Sequence, residues 1–444
     1  MLATLLAVAL FQDPSTAFVN VTVVPMDRER VIPGQTVVVK GGRIVEIGAT
    51  NRIKPPAGAA IIDGSGKFLM PGLAEMHAHI PPGSQVADSV IERVLALFVL
   101  NGVTTVRGML GDPRHLPLRD RARRGELLSP LVYTSSPSLN GNSMRTGAAA
   151  ADSVVKYQRA GYDFMKMHPG ITRGVFDTIA TTAARVGIRF AGHVPLDVGI
   201  ERAIEAKYWT VDHLDGFMEG LVPESQSRRF SAEEAGFFGL GLAMKADESR
   251  IPILAAKAKA GQVWMVPTET LMRHVVGDFS ADQMRAWPEM KYWSVAGVNG
   301  WVQQTNQMRS GGASAEVRAR YLELRRKLIK GLHSAGVGFL LGSDAPQVWN
   351  VPGFSVRREL AYLVEAGLTP FQALETGTRN VAAYLGTLTE TGTVAEGKRA
   401  DLILLDANPL TDISNVGKQA GVMIGGRWLA GAEITQRLNG LAAR

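Results

Sequence analysis

The stretch LAEMHAH (residues 73–79) is a short apolar run that closes on two histidines. Read as a strand, it places His77 and His79 on one face, about 6.6 Å apart at 3.3 Å per residue. Similar endings recur along the chain: DFMKMH (163–168), IRFAGH (188–193), YWTVDH (208–213) and VGFLLGSD (337–344). Each carries a residue able to bind metal at or beside its end: Lys166, His193, His213 and Asp344. Parallel strands closed into a barrel bring such ends together on one face, from segments far apart in sequence.

Between these runs the chain alternates strand and helix. ADSVIERVLALFVLNG (87–102) is amphipathic and ends at a glycine, VTTVRGM (103–109) and LVYTSS (131–136) read as strands two and three, and QVWMVPT (262–268) reads as strand seven. Helical patterns precede DFMKMH, IRFAGH and YWTVDH. The expected core, residues 71–392, is therefore an α/β domain of the (β/α)8 barrel type. Near its end Thr369 and Pro370 form an N-cap and first-turn pair, and Gly386 closes the helical stretch.

The flanks differ. AFVNVTVVPM (17–26) and QTVVVKGGRIVEIG (35–48) are β-rich, with Gly41-Gly42 at a hairpin turn, and GTVAEGKRADLILLD (392–406) and GVMIGGRWLAG (421–431) have the same texture. Residues 17–70 and 393–444 are expected to form one small β-sandwich assembled from both chain ends. Residues 1–16 begin with MLATLLAVALF, too short to span a bilayer. Ala7-Val8-Ala9 resembles a secretory cleavage site, so export to the periplasm or medium is expected, and a cytoplasmic location if that leader is not a signal.

The chain has 444 residues and no cysteine, which excludes disulfides, thiolate metal sites and cysteine nucleophiles. Its formal charge is +7, but the densest basic group (Arg318, Arg320, Arg325, Arg326, Lys327 and Lys330) falls on one amphipathic helix and reads as a solvated face. Neither a nucleic-acid nor a membrane partner is expected, and a homo-oligomer is left open. Two connections are long, 214–261 and 269–336, and the second carries Met272, Met284, Trp287, Met290, Trp293 and Trp301, which could either wall a substrate or pack extra helices.

Lys166 lies in an otherwise apolar strand, where burial favours loss of its proton or pairing with a carboxylate. If neutral it can react with CO2, and the carbamate could bridge two metals. His193 and His213 end consecutive strands and together offer two nitrogens. Asp344 follows Gly342 and Ser343, which leave room around a carboxylate able to ligate metal and act as base and then acid. His168 shares the strand face of Lys166 and is a candidate substrate contact. Arg145 and Arg173, in loops after strands three and four, could clamp a substrate carboxylate. Tyr133, Asn140 and Asn142 lie near the same strand end.

PGLAEMHAHI, DFMKMH, AGHVP, VDHLDG and LGSDAP, with the split β-rich ends, resemble the amidohydrolase superfamily. The closer likeness is to its binuclear, carboxylated-lysine branch near prolidase-like and N-acyl-amino-acid-hydrolysing members. The resemblance covers nearly the whole chain from residue 17 and matches all six ligand positions. It implies a TIM barrel in which His77, His79 and Asp344 hold the more buried of two divalent metal ions, zinc first among the candidates. His193 and His213 would hold the other, and carboxylated Lys166 would bridge them. The implied reaction is attack by metal-activated hydroxide on a linear amide of a small molecule, an N-acyl amino acid or dipeptide. Asp344 takes and returns the proton. Cyclic amides, lactones or other esters are the alternative substrates.

Overall fold

The computed structural model describes residues 15–223, 230–277, 279–310 and 312–442. The expected leader lies almost wholly outside the described residues. Strands β1 (Thr16–Val23), β2 (Ile32–Lys40), β3 (Arg43–Ala49), β4 (Ala60–Asp63) and β5 (Phe68–Pro71) come from the N-terminal flank. The middle contributes β6 (Leu73–Ala78), β7 (Val103–Gly108), β8 (Leu131–Thr134), β9 (Met165–Met167), β10 (Phe190–Gly192), β11 (Thr210–Asp212) and β12 (Trp264–Val266). The C-terminal flank adds β13 (Leu402–Leu405), β14 (Gln419–Ile424) and β15 (Arg427–Ala430).

The two flanks join directly. β13 pairs antiparallel with β5, Leu402 opposite Pro71 and Leu405 opposite Phe68. β13 is buried along its whole length, and its period of two divides it between cores: Leu402 and Leu404 face the flanking sheet's interior, Ile403 and Leu405 the large central core. The expected sandwich is one continuous eight-stranded sheet, in the order β15-β14-β13-β5-β1-β2-β3 with β4 beside β1. The sheet must curl, because Phe18 of β1 and Trp428 of β15 meet edge to face at 5.2 Å across three intervening strands. The Gly41-Gly42 turn sits where expected, between β2 and β3.

The middle is mixed α/β, with β6-β7-β8 and β9-β10-β11-β12 forming two parallel sheets. Parallel bridges Ser135–Phe164 and Leu139–Met167 link them on one side. Helices 88–100, 147–159, 173–186, 199–205 and 251–261 follow the strands and bury their apolar faces against them. Residues 337–344, expected as an eighth strand, carry only one bridge, Phe339 to Met265. The backbone is drawn two ways here: Leu340 N donates to Met265 O at 2.9 Å, but Leu341 N turns to Thr376 O at 2.8 Å. Met76 N donates to Leu341 O at 2.8 Å, so the run still lies between β12 and β6. The close approach requires Gly342, whose added Cβ would sit 2.5 Å from Val266 Cγ1.

The two long connections are largely helical. In the second, Met272 and Met284 are fully buried, Trp293 stacks on Trp301 at 5.3 Å, and Trp301 meets Trp349, beyond the connection, at a tilt and 5.8 Å, so these side chains pack helices together. Arg325 departs from the solvated-face expectation. On the helix Ala315–Ser334 it points inward, fully buried, with Glu269 at 2.6 Å. Thr369 caps its helix through a capping box, but that helix stops at Thr376 and a second runs from Arg379 to Leu385 before Gly386. No helix among the described residues is long and apolar enough to cross a membrane.

Candidate metal centre

The strand ends meet. The ring centroids of His79 and His77 lie 5.5 Å apart, His77 and His213 4.5 Å, His213 and His193 4.7 Å, and His193 and His168 5.0 Å. Five imidazoles thus form one chain across the ends of β6, β9, β10 and β11. Lys166, in the middle of β9, is fully buried with Nζ 3.4 Å from His77 Nε2. Asp344 Oδ1 lies 2.9 Å from His79 Nε2 and 3.6 Å from the same His77 Nε2.

His193 Nδ1 lies 3.2 Å from Asp215 Oδ2 and His213 Nδ1 2.8 Å from Thr268 Oγ1, both within hydrogen-bonding geometry. His77 Nδ1 stands 3.0 Å from Asp212 Oδ2, a charge contact without hydrogen-bond geometry. For His193 and His213 such partners favour a tautomer that leaves the Nε2 lone pair free. Burial, reinforced by nearby positive charge, holds His77, His193 and His213 well below the ordinary histidine pKa, so all three are neutral. Burial brings Lys166 down to about 8, against the opposing pull of Asp212 and Asp344.

This donor set fits a divalent cation. One ligand atom each from His77, His79 and Asp344 lies within 4.8 Å of the others. Asp344 Oδ1 is buried and accepts no hydrogen bond, although two imidazole nitrogens stand close by. Lone pairs facing one another in a buried space are repulsive alone and become ligands around a cation. With only nitrogen and oxygen donors the set suits zinc, manganese, cobalt or nickel.

Backbone strain concentrates here. His213, Thr268 and Asp344 have φ of 63°, 51° and 67°, in the left-handed region that non-glycine residues rarely occupy. Gly192, at φ 120°, is needed beside His193 because a Cβ there would sit 2.6 Å from Met167 O and 2.9 Å from Lys166 Cδ.

Among the candidate substrate contacts, His168 joins the imidazole chain, with Nδ1 2.9 Å from Ser138 Oγ. Asn140 supports it at one remove, donating from Nδ2 to Ser138 Oγ at 2.9 Å. Arg145 is exposed and donates to Asn142 O at 3.3 Å. Arg173 pairs with Asp177 at 3.0 Å on the surface of its helix. Among the described residues, no contact brings either arginine to the histidines. Asn142 is exposed, and Tyr133 lines a separate small cavity with Pro71, Arg399 and Asp401.

Sequence reading missed the supporting shell. Arg107 is fully buried behind His77, donating to Met76 O at 2.6 Å, Tyr384 OH at 2.7 Å and Asp212 Oδ1 at 3.1 Å. Glu75, also fully buried, accepts from His77 N at 3.0 Å and Ser343 N at 2.8 Å, tying β6 to the Asp344 segment. A charge inside an apolar strand was the available signal for both, as it was for Lys166. Asp215 and Thr268 gave no such signal.

The family model described as "Amidohydrolase family" matches residues 68–429. The imidazolonepropionase of Symbiobacterium thermophilum is 25% identical over 391 residues, covering 84% of this chain and 84% of its own. A bottromycin amidohydrolase structure aligns with a TM-score of 0.73 at 21% identity, covering 97% of this chain and 91% of that one. A Xaa-Pro dipeptidase structure with bound methionine aligns at 0.65 and 17% identity, covering 94% of this chain and 100% of that one. At these identities the two structures share the fold.

Proposed function

The chain belongs to the amidohydrolase family, an enzyme acting on carbon–nitrogen bonds, and from there we propose that it hydrolyses a linear amide of an N-acyl amino acid or dipeptide. The observation that carries the reading is the convergence of His77 Nε2, His79 Nε2 and the unpartnered Asp344 Oδ1 beside Lys166 Nζ. The proposal includes a closed (β/α)8 barrel, supported by the bonds that tie residues 337–344 to both β12 and β6.

His77, His79 and Asp344 would hold one divalent cation, His193 and His213 a second, and Lys166, carboxylated by CO2 in its neutral form, would stand between them. Cations bound there, zinc the first candidate, supply Lewis acidity and water of lowered pKa. The chain's own part is positioning and proton transfer. Asp344 Oδ1 lies against His79 in the histidine cluster, where the carboxylate can take a proton from attacking water and return it to the leaving nitrogen. Asp212, Asp215 and Thr268 keep the rings aimed inward.

The test is product release from a panel of dipeptides and N-acyl amino acids by zinc-loaded protein, with Asp344→Asn as control. Hydrolysis that disappears in the variant supports the reading. Silence from fully metallated protein overturns it and moves the assignment to cyclic amides, lactones or other esters.

A further inference from the structure

A cleft of about 280 Å³ opens beside the histidine cluster and shares His193 with it. Its walls are mainly apolar, with Val194, Pro195, Leu196, Ala235, Phe237 and Phe238 among them. Phe238 forms the boundary, its ring 5.7 Å from that of His193 and 4.9 Å from that of His213. It adopts φ 46° and ψ 43°, and Tyr321 OH donates to its carbonyl oxygen at 3.1 Å. A non-glycine residue rarely occupies this region, so the surrounding structure must hold the strain.

Two carboxylates interrupt the apolar wall, Asp215 and Glu219. Asp215 is engaged, accepting from Val194 N at 3.2 Å beside His193 Nδ1. Glu219 meets only its own backbone N–H, and its Oε2 is buried and accepts no hydrogen bond. Gly239 stands close by: a Cβ there would sit 3.5 Å from Oε2. No lysine or arginine occurs among the described lining residues. A buried acceptor without a donor is costly in an apolar wall, unless the occupant of the cleft brings the donor.

We propose that this cleft is the subsite for an apolar, ring-bearing arm of the substrate carrying a protonated amine, with Glu219 as its counter-charge. The inference rests on the amide-hydrolase reading and narrows it: dipeptides with a free amino group on an aromatic residue are taken over their N-acylated counterparts. An acylated nitrogen has no charge to offer Glu219, and a carboxylate in the cleft would face two acidic side chains. Burial, then Asp215, pushes Glu219 up to about 7, and a bound cation would draw it back down.

The test uses the full chain and does not need turnover. Calorimetric titration compares 2-phenylethylamine with its neutral analogue 2-phenylethanol, on wild type and on Glu219→Gln. The amine is expected to bind wild type at least about tenfold more tightly than the alcohol, as a charge-assisted hydrogen bond provides, and the variant to erase that preference. Equal binding of the two, no binding of either, or a preference that survives in Glu219→Gln overturns the inference. The wild-type comparison stands even if the variant folds poorly. Failure of the amide-hydrolase reading is read separately, as absence of any turnover with metal loaded.

Discussion

The guanidinium of Arg325 donates from Nη1 to the main-chain carbonyl of His213 at 2.8 Å, across 112 positions of sequence. Its Nη2 reaches Pro267 O at 2.9 Å, and Glu269 closes the network against its Nε at 2.7 Å. One buried side chain thus holds the ends of β11 and β12 at the turns where His213 and Thr268 adopt left-handed backbone.

Removing Arg325 leaves Glu269 buried and unpaired. Arg325→Met is expected to destabilise the protein by about 3–5 kcal/mol, and the double change Arg325→Met with Glu269→Met to recover most of that loss. Urea unfolding midpoints measure both. A single variant that unfolds with the wild type would show that the pair contributes nothing to holding these turns.

How much of this was legible in the chain depends on where each residue finds its partners. His77 and His79 could be read because a strand's period of two puts them on one face, a purely local fact. Lys166 could be read because charge is rare in an apolar strand. Glu75 and Arg107 carry the same anomaly, but their roles are set by Ser343 and Asp212, 268 and 105 positions away, which no local pattern connects. Arg325 was hidden in a run of basic residues, only one face of which turns inward. The eighth strand failed as a regular strand because Gly338 and Gly342 admit Trp264 and Val266 side chains close to the backbone. Arg145 and Arg173 were plausible by residue type, yet Asn142 and Asp177 engage them locally.

Thr268 isolates the contribution of support from that of ligation. Thr268→Val keeps the β-branched shape and the strained backbone while deleting the oxygen 2.8 Å from His213 Nδ1. Metal affinity is expected to fall by roughly 10–100-fold, the usual effect of losing such a partner. Competition with a fluorescent chelator measures it. Unchanged affinity would mean that His213 needs no orientation from this side.

Asp344→Asn should lower kcat by about 10²–10⁴-fold, the range expected for a lost general acid–base. Metal content measured alongside separates the proton-transfer role from ligation. Exhaustive chelation of wild type should abolish turnover, and added zinc should restore it. Activity that persists after verified removal of metal would defeat the assignment of the His77–His79–Asp344 cluster.

Lys166 gives a pH signature whose sign follows from its depressed pKa of about 8. Between pH 8 and the ordinary lysine value near 10.5, the unfolded chain holds a proton there that the metal-free folded chain has released. Metal-free stability therefore rises with pH across that window, by at most about 1.4 kcal/mol per unit, and the lysine contributes no slope below it. Carboxylation needs the neutral amine, so reactivation of metal-free protein by zinc and bicarbonate should speed up with pH and level off above about 8. Lys166→Met should lose both the stability slope and the bicarbonate dependence. Reactivation that is as fast at pH 6.5 as at pH 8.5, and indifferent to bicarbonate, would leave Lys166 as a buried cation and remove the carbamate from the centre.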